Sequence, residues 1–332
     1  MVPVVSSATY DAARRRAAFI DRSDRGRIVV SGKDRASYLQ GLLTNDVVAL
    51  KAGEGCYAAY LTAQGRMISD LWVYEVGDVM LLTMSADVKD LVLAKLDQFI
   101  FSEDVQLGDV SATYAQIGVV GPRASSVVAG IVDAVQEEVL DSMPDHGNLR
   151  SSTDGRPVIV TRIVDAGERG FDLYIEHEHV EPLMARLRQL DVAELDEQTA
   201  EAIRVEGGVP RFHRDMDEET IPLEAGIEST AISMTKGCYV GQEVIVRVLH
   251  RGHGRVVRKL VGLTFGSGAP VPAAGAVVRA DARDLGHVTS VCLSPALQRP
   301  IALAYVHRDF IEPGTAVSVD QSTAEVTKLP FV

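Results

Sequence analysis

At 332 residues the chain exceeds what one ordinary core organises, and its 46% hydrophobic and 24% charged content is that of a globular protein with about two domains, able to offset its folding entropy by burial. A net charge of −13 repels a polyanion and so excludes duplex nucleic acid held by phosphate neutralisation. Cys56, Cys238 and Cys292 form no C-x-x-C pair, so neither a disulfide framework nor a metal or cluster site is spelled out. With no bilayer-length apolar run and no signal-peptide pattern at Met1 to Ser7, the expected location is the cytoplasm, with no membrane partner.

In chain order, Arg27 to Val30 reads as a short strand, and Tyr38, Leu39, Leu42 and Leu43 recur at helical spacing up to Asn45. Tyr57 to Leu61 and Met67 to Tyr74 read as a hairpin that turns at Gly65. A strand over Val79 to Thr83 precedes a helix capped at Ser85, with Val88, Leu91, Val92 and Leu96 on one face. Strands are predicted at Thr113 to Val120 and Phe171 to Ile175, helices at Val180 to Leu190 and Glu197 to Val205, and a polar loop at Asp141 to Thr153. From Lys259 onward, short alternating segments broken by Gly and Pro read as a small β-barrel over 259–332, distinct from residues 1–258. The class is α+β.

The most specific segment is Lys236-Gly237-Cys238-Tyr239-Val240-Gly241-Gln242-Glu243. Glycines on both sides let the backbone bend around a thiol and approach a ligand. Lys236 lies two residues upstream, and a helix opening at Gly241-Gln242-Glu243 would turn its positive end to the thiol; both favour thiolate. The same thiol also fits a small buried apolar residue, the reading that applies to the strand cysteines Cys56 and Cys292.

K-G-C-Y-x-G-Q-E resembles the signature of the YgfZ branch of folate-binding proteins similar to the glycine-cleavage T-protein. The resemblance is collinear over nearly the whole chain. Thr44-Asn45-Asp46-Val47, the Gln64-Gly65-Arg66 hairpin, Arg204-Val205-Glu206-Gly207-Gly208 and Asp217 to Glu224 each look like an element of that superfamily. The resemblance implies a three-part ring of two interleaved α+β subdomains plus a C-terminal β-barrel, with tetrahydrofolate at the centre. It implies Glu206, beside Arg204, as the pterin-contacting carboxylate, and a segment Gly237, Tyr239, Gly241, Gln242 and Glu243 next to the folate. Glu168 is a second acid that could meet a pterin bidentately.

The T-protein hairpin carries paired acids, the first of them catalytic; the matching residues here are Ser69 and Asp70. A serine cannot exchange a proton as a carboxylate does, and Asp70 as its strand neighbour points to the opposite face. The leading expectation is therefore a folate-binding accessory protein for iron–sulfur cluster assembly or repair, acting through Cys238 and Lys236 with iron–sulfur proteins or their assembly factors as partners. The alternatives are a folate-dependent aminomethyl transferase and a non-catalytic folate-binding scaffold. Arg247, Arg251 and Arg255, four residues apart, would share a helix face that could receive the carboxylates of a polyglutamylated folate, or else be solvated charge. His250 and His253 lack a third ligand, and no metal is expected.

Overall fold

The computed structural model describes residues 7–250, 255–281 and 283–332. Two sheets and a barrel account for its strands. The five-stranded sheet runs Gly55–Leu61, Met67–Glu75, Met80–Met84, Gly26–Ser31, Gln106–Asp109, all antiparallel neighbours. The six-stranded sheet runs Ala193–Glu194, Ala18–Asp21, Tyr114–Val120, Gly170–Glu176, Arg156–Ile163, Asn148–Thr153, parallel only at its first pair.

These sheets are interleaved along the chain. It leaves the six-stranded sheet after Asp21, builds the five-stranded sheet from Gly26 to Asp109 and returns at Tyr114. After the helix Glu197–Glu206 it comes back to the first sheet, where Phe212, Leu223, Ile227, Ala231, Tyr239 and Ile245 join that sheet's core. The C-terminal strands close a six-stranded barrel in the order Arg258–Phe265, Arg299–His307, Arg283–Ser294, Val277–Ala280, Ala316–Val319, Ser322–Thr327. Closure removes both free edges and packs Leu263, Phe265, Val288, Ala304 and Val317 inside. The architecture is thus two interleaved α+β units followed by a C-terminal barrel, as the sequence led one to expect.

The hairpin centred on Gly65 places the site. Every residue of Met67–Glu75 is buried, so both faces of this strand are covered. Leu71 and Val73 face the first sheet's core, and the period of two sends Asp70 and Trp72 to the other side. Near the turn the ladder slips between Tyr60 and Leu61, which leaves Ile68 as an extra residue. Gly65, at φ +74, packs on the helix Gln242–His250, where an added Cβ would meet Val244 at 2.9 Å. Gly241, at φ +85, sits so close to the hairpin that its own Cβ would lie 2.5 Å from the Thr62 carbonyl. Both positions require glycine.

Three sequence expectations change. Leu91 is 43% exposed while Val88, Val92 and Leu96 are buried, because a stripe at i, i+4, i+8 already fills the narrow contact of Ala86–Asp97 with the sheet. Asp141 to Thr153 holds the end of the helix Glu137–Ser142 and the edge strand Asn148–Thr153; an edge strand with a solvated face carries the polar residues that read as a loop. Its partner Arg156–Ile163 was not anticipated either.

Candidate functional site

A cleft of about 590 Å³ lies where the two sheets meet the segment after Glu206. Arg22 and Arg25, in the crossover between the sheets, line it, with Asp70 and Trp72 from the hairpin, Asp165, and Arg211 to Arg214. The cleft is thus assembled from stretches far apart in the chain, with Ser85 to Asp87 and the helix Glu197–Glu206 also contributing.

Arg22 and Arg25 both reach Asp165 Oδ2, at 2.6 and 2.8 Å, and Arg22 lies 3.5 Å from the fully buried Asp172. Burial alone would raise Asp165, but these guanidinium groups hold its carboxyl well below the usual range. Asp172 accepts from Gln116 at 2.6 Å, and burial, the larger effect, leaves its carboxyl raised despite Arg22. Arg25 also lies over the Trp72 ring, 4.6 Å from its centroid. The first sheet thus presents an aromatic and cationic wall to the cleft.

Asp70 is 3% exposed and accepts the Tyr57 hydroxyl at 2.7 Å. Burial raises its carboxyl, and the Tyr57 hydrogen bond and Arg25 offset this only in part. Ser69, by contrast, is fully buried and donates its hydroxyl to the Asp70 carbonyl at 2.6 Å. Strand alternation thus separates the two as expected, and it is Asp70, not Ser69, that lines the cleft.

At the mouth of the cleft, His213 Nδ1 lies 2.5 Å from Asp87 and Nε2 lies 3.0 Å from Glu218. Two carboxylate partners require both ring nitrogens to donate, the imidazolium form. Burial pulls that form down, but the two acids leave the His213 pKa raised.

Of the anticipated folate contacts, only Arg204 lines the cleft, and its donors are occupied. Nε and Nη2 bind Glu201 at 2.9 and 2.5 Å, Nη1 binds Asp215 at 2.8 Å and the Val209 carbonyl at 2.5 Å, and Nη2 also reaches Ser290 at 2.7 Å. Glu206 is fully buried and accepts from Tyr10 at 2.6 Å, the Ala296 amide at 3.1 Å, Arg14 and Ser294. Glu168 binds the same Arg14 at 2.5 Å. These groups tie the N-terminal helix and the barrel to Glu197–Glu206, and both Glu206 oxygens accept hydrogen bonds in that tie.

The cysteine segment lies apart from the cleft lining. Lys236 is 9% exposed, and its ammonium donates to the carbonyls of Gln40, Leu43 and Asn45 at 2.7, 2.6 and 2.9 Å, so it caps the end of Arg35–Leu42. Burial lowers the Lys236 pKa to about 8. Tyr239 is buried in the first core, while Gln242 and Glu243 open the helix Gln242–His250, so the helix expected after Gly241 is present. Gly237 has open space around it. Arg247 is exposed on that helix, Arg255 lies exposed in an irregular stretch, and Arg251 and the His253 half of the histidine pair fall outside the described residues. Arg247 and Arg255 therefore do not share a helix face.

Cys238 is exposed, whereas Cys56 and Cys292 are buried in their strands. Burial pushes the Cys56 thiol up to about 12 and raises Cys292 as well. Alkylation of the native protein, mapped by mass spectrometry, is expected to modify Cys238 and to reach the other two only on unfolding. Protection of Cys238 in the native protein would contradict its placement.

Residues 4–236 match the GCVT N-terminal domain, and residues 258–332 match the glycine cleavage T-protein C-terminal barrel domain. The chain belongs to the glycine-cleavage T-protein family. It is 30% identical over 330 residues to an aminomethyltransferase of Streptomyces coelicolor, covering 96% of this chain and 87% of that one. It is likewise 30% identical over 326 residues to an aminomethyltransferase of Rubrobacter xylanophilus, covering 98% and 85%. The glycine cleavage system aminomethyltransferase T of Bartonella henselae shares the fold, with a TM-score of 0.88 over 100% of this chain and 91% of that one at 22% identity. Among the described residues of this T-protein homologue, no helix is long and apolar enough to cross a membrane.

Proposed function

We propose that the protein transfers a one-carbon unit, carried as an aminomethyl group, to tetrahydrofolate bound in the cleft. The observation that carries this reading is Asp70, a buried carboxylate facing the cleft beside an aromatic and cationic wall. A carboxyl raised by burial is suited to exchange a proton with a ring nitrogen of the substrate near neutral pH. Ser69 therefore does not count against transfer, and the relatives are named aminomethyltransferases. Trp72 offers an edge for a flat ring. The exposed Arg211 and Arg214 at the cleft rim, in place of the 247–255 row, suit the carboxylates of a glutamyl tail.

The test is turnover: purified protein, an aminomethyl-loaded lipoyl carrier and tetrahydrofolate should yield methylene-tetrahydrofolate and ammonia in equal amounts. Absence of both products with an active carrier sinks the reading.

A second reading, an accessory role in iron–sulfur cluster assembly or repair in the cytoplasm, draws support from the exposed Cys238 within its K-G-C-Y segment. Cells lacking the protein and complemented with Cys238→Ala separate the two. The transfer reading expects full rescue, and the accessory reading expects loss of cluster-enzyme activity.

A further inference from the structure

We propose that Tyr57 is a positioning residue for Asp70: its hydroxyl fixes one carboxylate oxygen and thereby sets which oxygen meets the substrate and at what pH the acid works. This rests on the reading of Asp70 as the acid of the site.

The two residues are tied by register. Ala59 is paired with Asp70 and Tyr57 with Trp72 across the hairpin, so Tyr57, Ala59, Asp70 and Trp72 share one face. Small Ala59 opposite Asp70 leaves the room through which the Tyr57 hydroxyl reaches Oδ2 at 2.7 Å. Packing holds the donor in place: Tyr57 is 7% exposed and its ring lies 5.0 Å from Trp72, tilted at 34°. Trp72 is in turn covered by Arg25, which Asp165 anchors. A rigid donor on one oxygen denies the carboxylate free rotation and leaves Oδ1 as the oxygen for the substrate.

The charged and titratable groups that act on Asp70 are Tyr57 on the neighbouring strand, Arg25 on the crossover and Asp165 beyond Arg156–Ile163. Burial raises the acid most, Tyr57 and Arg25 lower it, and Asp165 raises it. Burial also holds the Tyr57 phenol far above its ordinary value, so it stays a donor throughout the working range. A phenol that donates to the carboxylate stabilises the ionised form. Removing it must move the Asp70 titration upward, by roughly one pH unit or more for a lost hydrogen bond to a charged group.

The experiment compares wild type, Tyr57→Phe and Asp70→Asn. Tyr57→Phe keeps the ring and its packing, and thermal unfolding checks that the fold is retained. The Asp70 carboxyl is followed by carbon-13 NMR, its resonance assigned by its loss in Asp70→Asn, and tetrahydrofolate affinity is measured by calorimetry across pH. The expected result is an upward-shifted Asp70 midpoint in Tyr57→Phe, an equal shift in the pH dependence of binding, and no such dependence in Asp70→Asn. An unmoved midpoint in Tyr57→Phe overturns the role of Tyr57, whatever Asp70 does. Wild-type pH dependence of binding in Asp70→Asn instead overturns the reading of Asp70 itself.

Discussion

Asp70→Asn is expected to lower the rate of one-carbon transfer to tetrahydrofolate by about 10²–10⁴-fold, the usual worth of a positioned acid or base. The amide has the carboxylate's shape and its oxygen can still accept the Tyr57 hydroxyl, so the wall of the cleft should keep its form. Stability should not fall. Asp70 is fully enclosed and burial raises its carboxyl, so the charge is held at a cost that a neutral amide does not carry. Single-turnover rates with an aminomethyl-loaded carrier, measured beside thermal unfolding, check both halves. A variant that turns over at the wild-type rate would remove Asp70 from the chemistry.

The opposite pattern is expected at Arg204. Arg204→Ala should destabilise the protein by about 3–5 kcal/mol, because it leaves the buried Asp215 without its cation. Asp215 has no exposed side-chain surface and depends on Arg204 at 2.8 Å, helped by the Thr289 hydroxyl; Glu201 is bound through two oxygens. Arg204 also joins Glu197–Glu206 to Ser290 in the barrel strand Arg283–Ser294, so its loss loosens the barrel from the cleft. Denaturant unfolding should show the loss as a lower midpoint. An unchanged midpoint would mean that the ion-pair cluster contributes nothing net.

The two outcomes contrast a residue that lines the cleft with one that holds the fold together. Arg204 and Glu206 stand in the most family-like motif of the middle region, and composition and spacing give no means to distinguish a carboxylate awaiting a ligand from one already satisfied. That distinction depends on partners 88 to 196 positions away: Tyr10 and Arg14 approach Glu206 from the N-terminal helix, and Ser294 and Ala296 from the barrel. The surroundings of Lys236 are invisible in the sequence for the same reason. Its neighbour in sequence is Cys238, but its neighbours in space are the carbonyls that end the helix Arg35–Leu42.

Local signals served better for elements whose pattern and burial agree. The hairpin at Gly65, the helix Glu197–Glu206 and most of the barrel strands follow from period and turn chemistry, because their apolar runs and the turn residues that bound them are contiguous in sequence. The edge strand Asn148–Thr153 and its partner Arg156–Ile163 escaped, since an edge strand is polar on its open face and takes its pairing from the neighbour. The cleft walls around Arg22, Arg25 and Asp165 escaped as well, as no motif marks them and they converge only when the chain crosses between the sheets.

Sequence by itself determined the α+β class, the C-terminal barrel, the family and the hairpin that carries the acid, for these are written in periodicity and in motifs that are contiguous along the chain. Tertiary structure alone decided that Asp70, and not Ser69, lines the cleft. Strand alternation is visible in any sequence, but which face of Met67–Glu75 meets the core and which meets the cleft depends on what the chain brings back from residues 114–194 and 207–245 to cover each side.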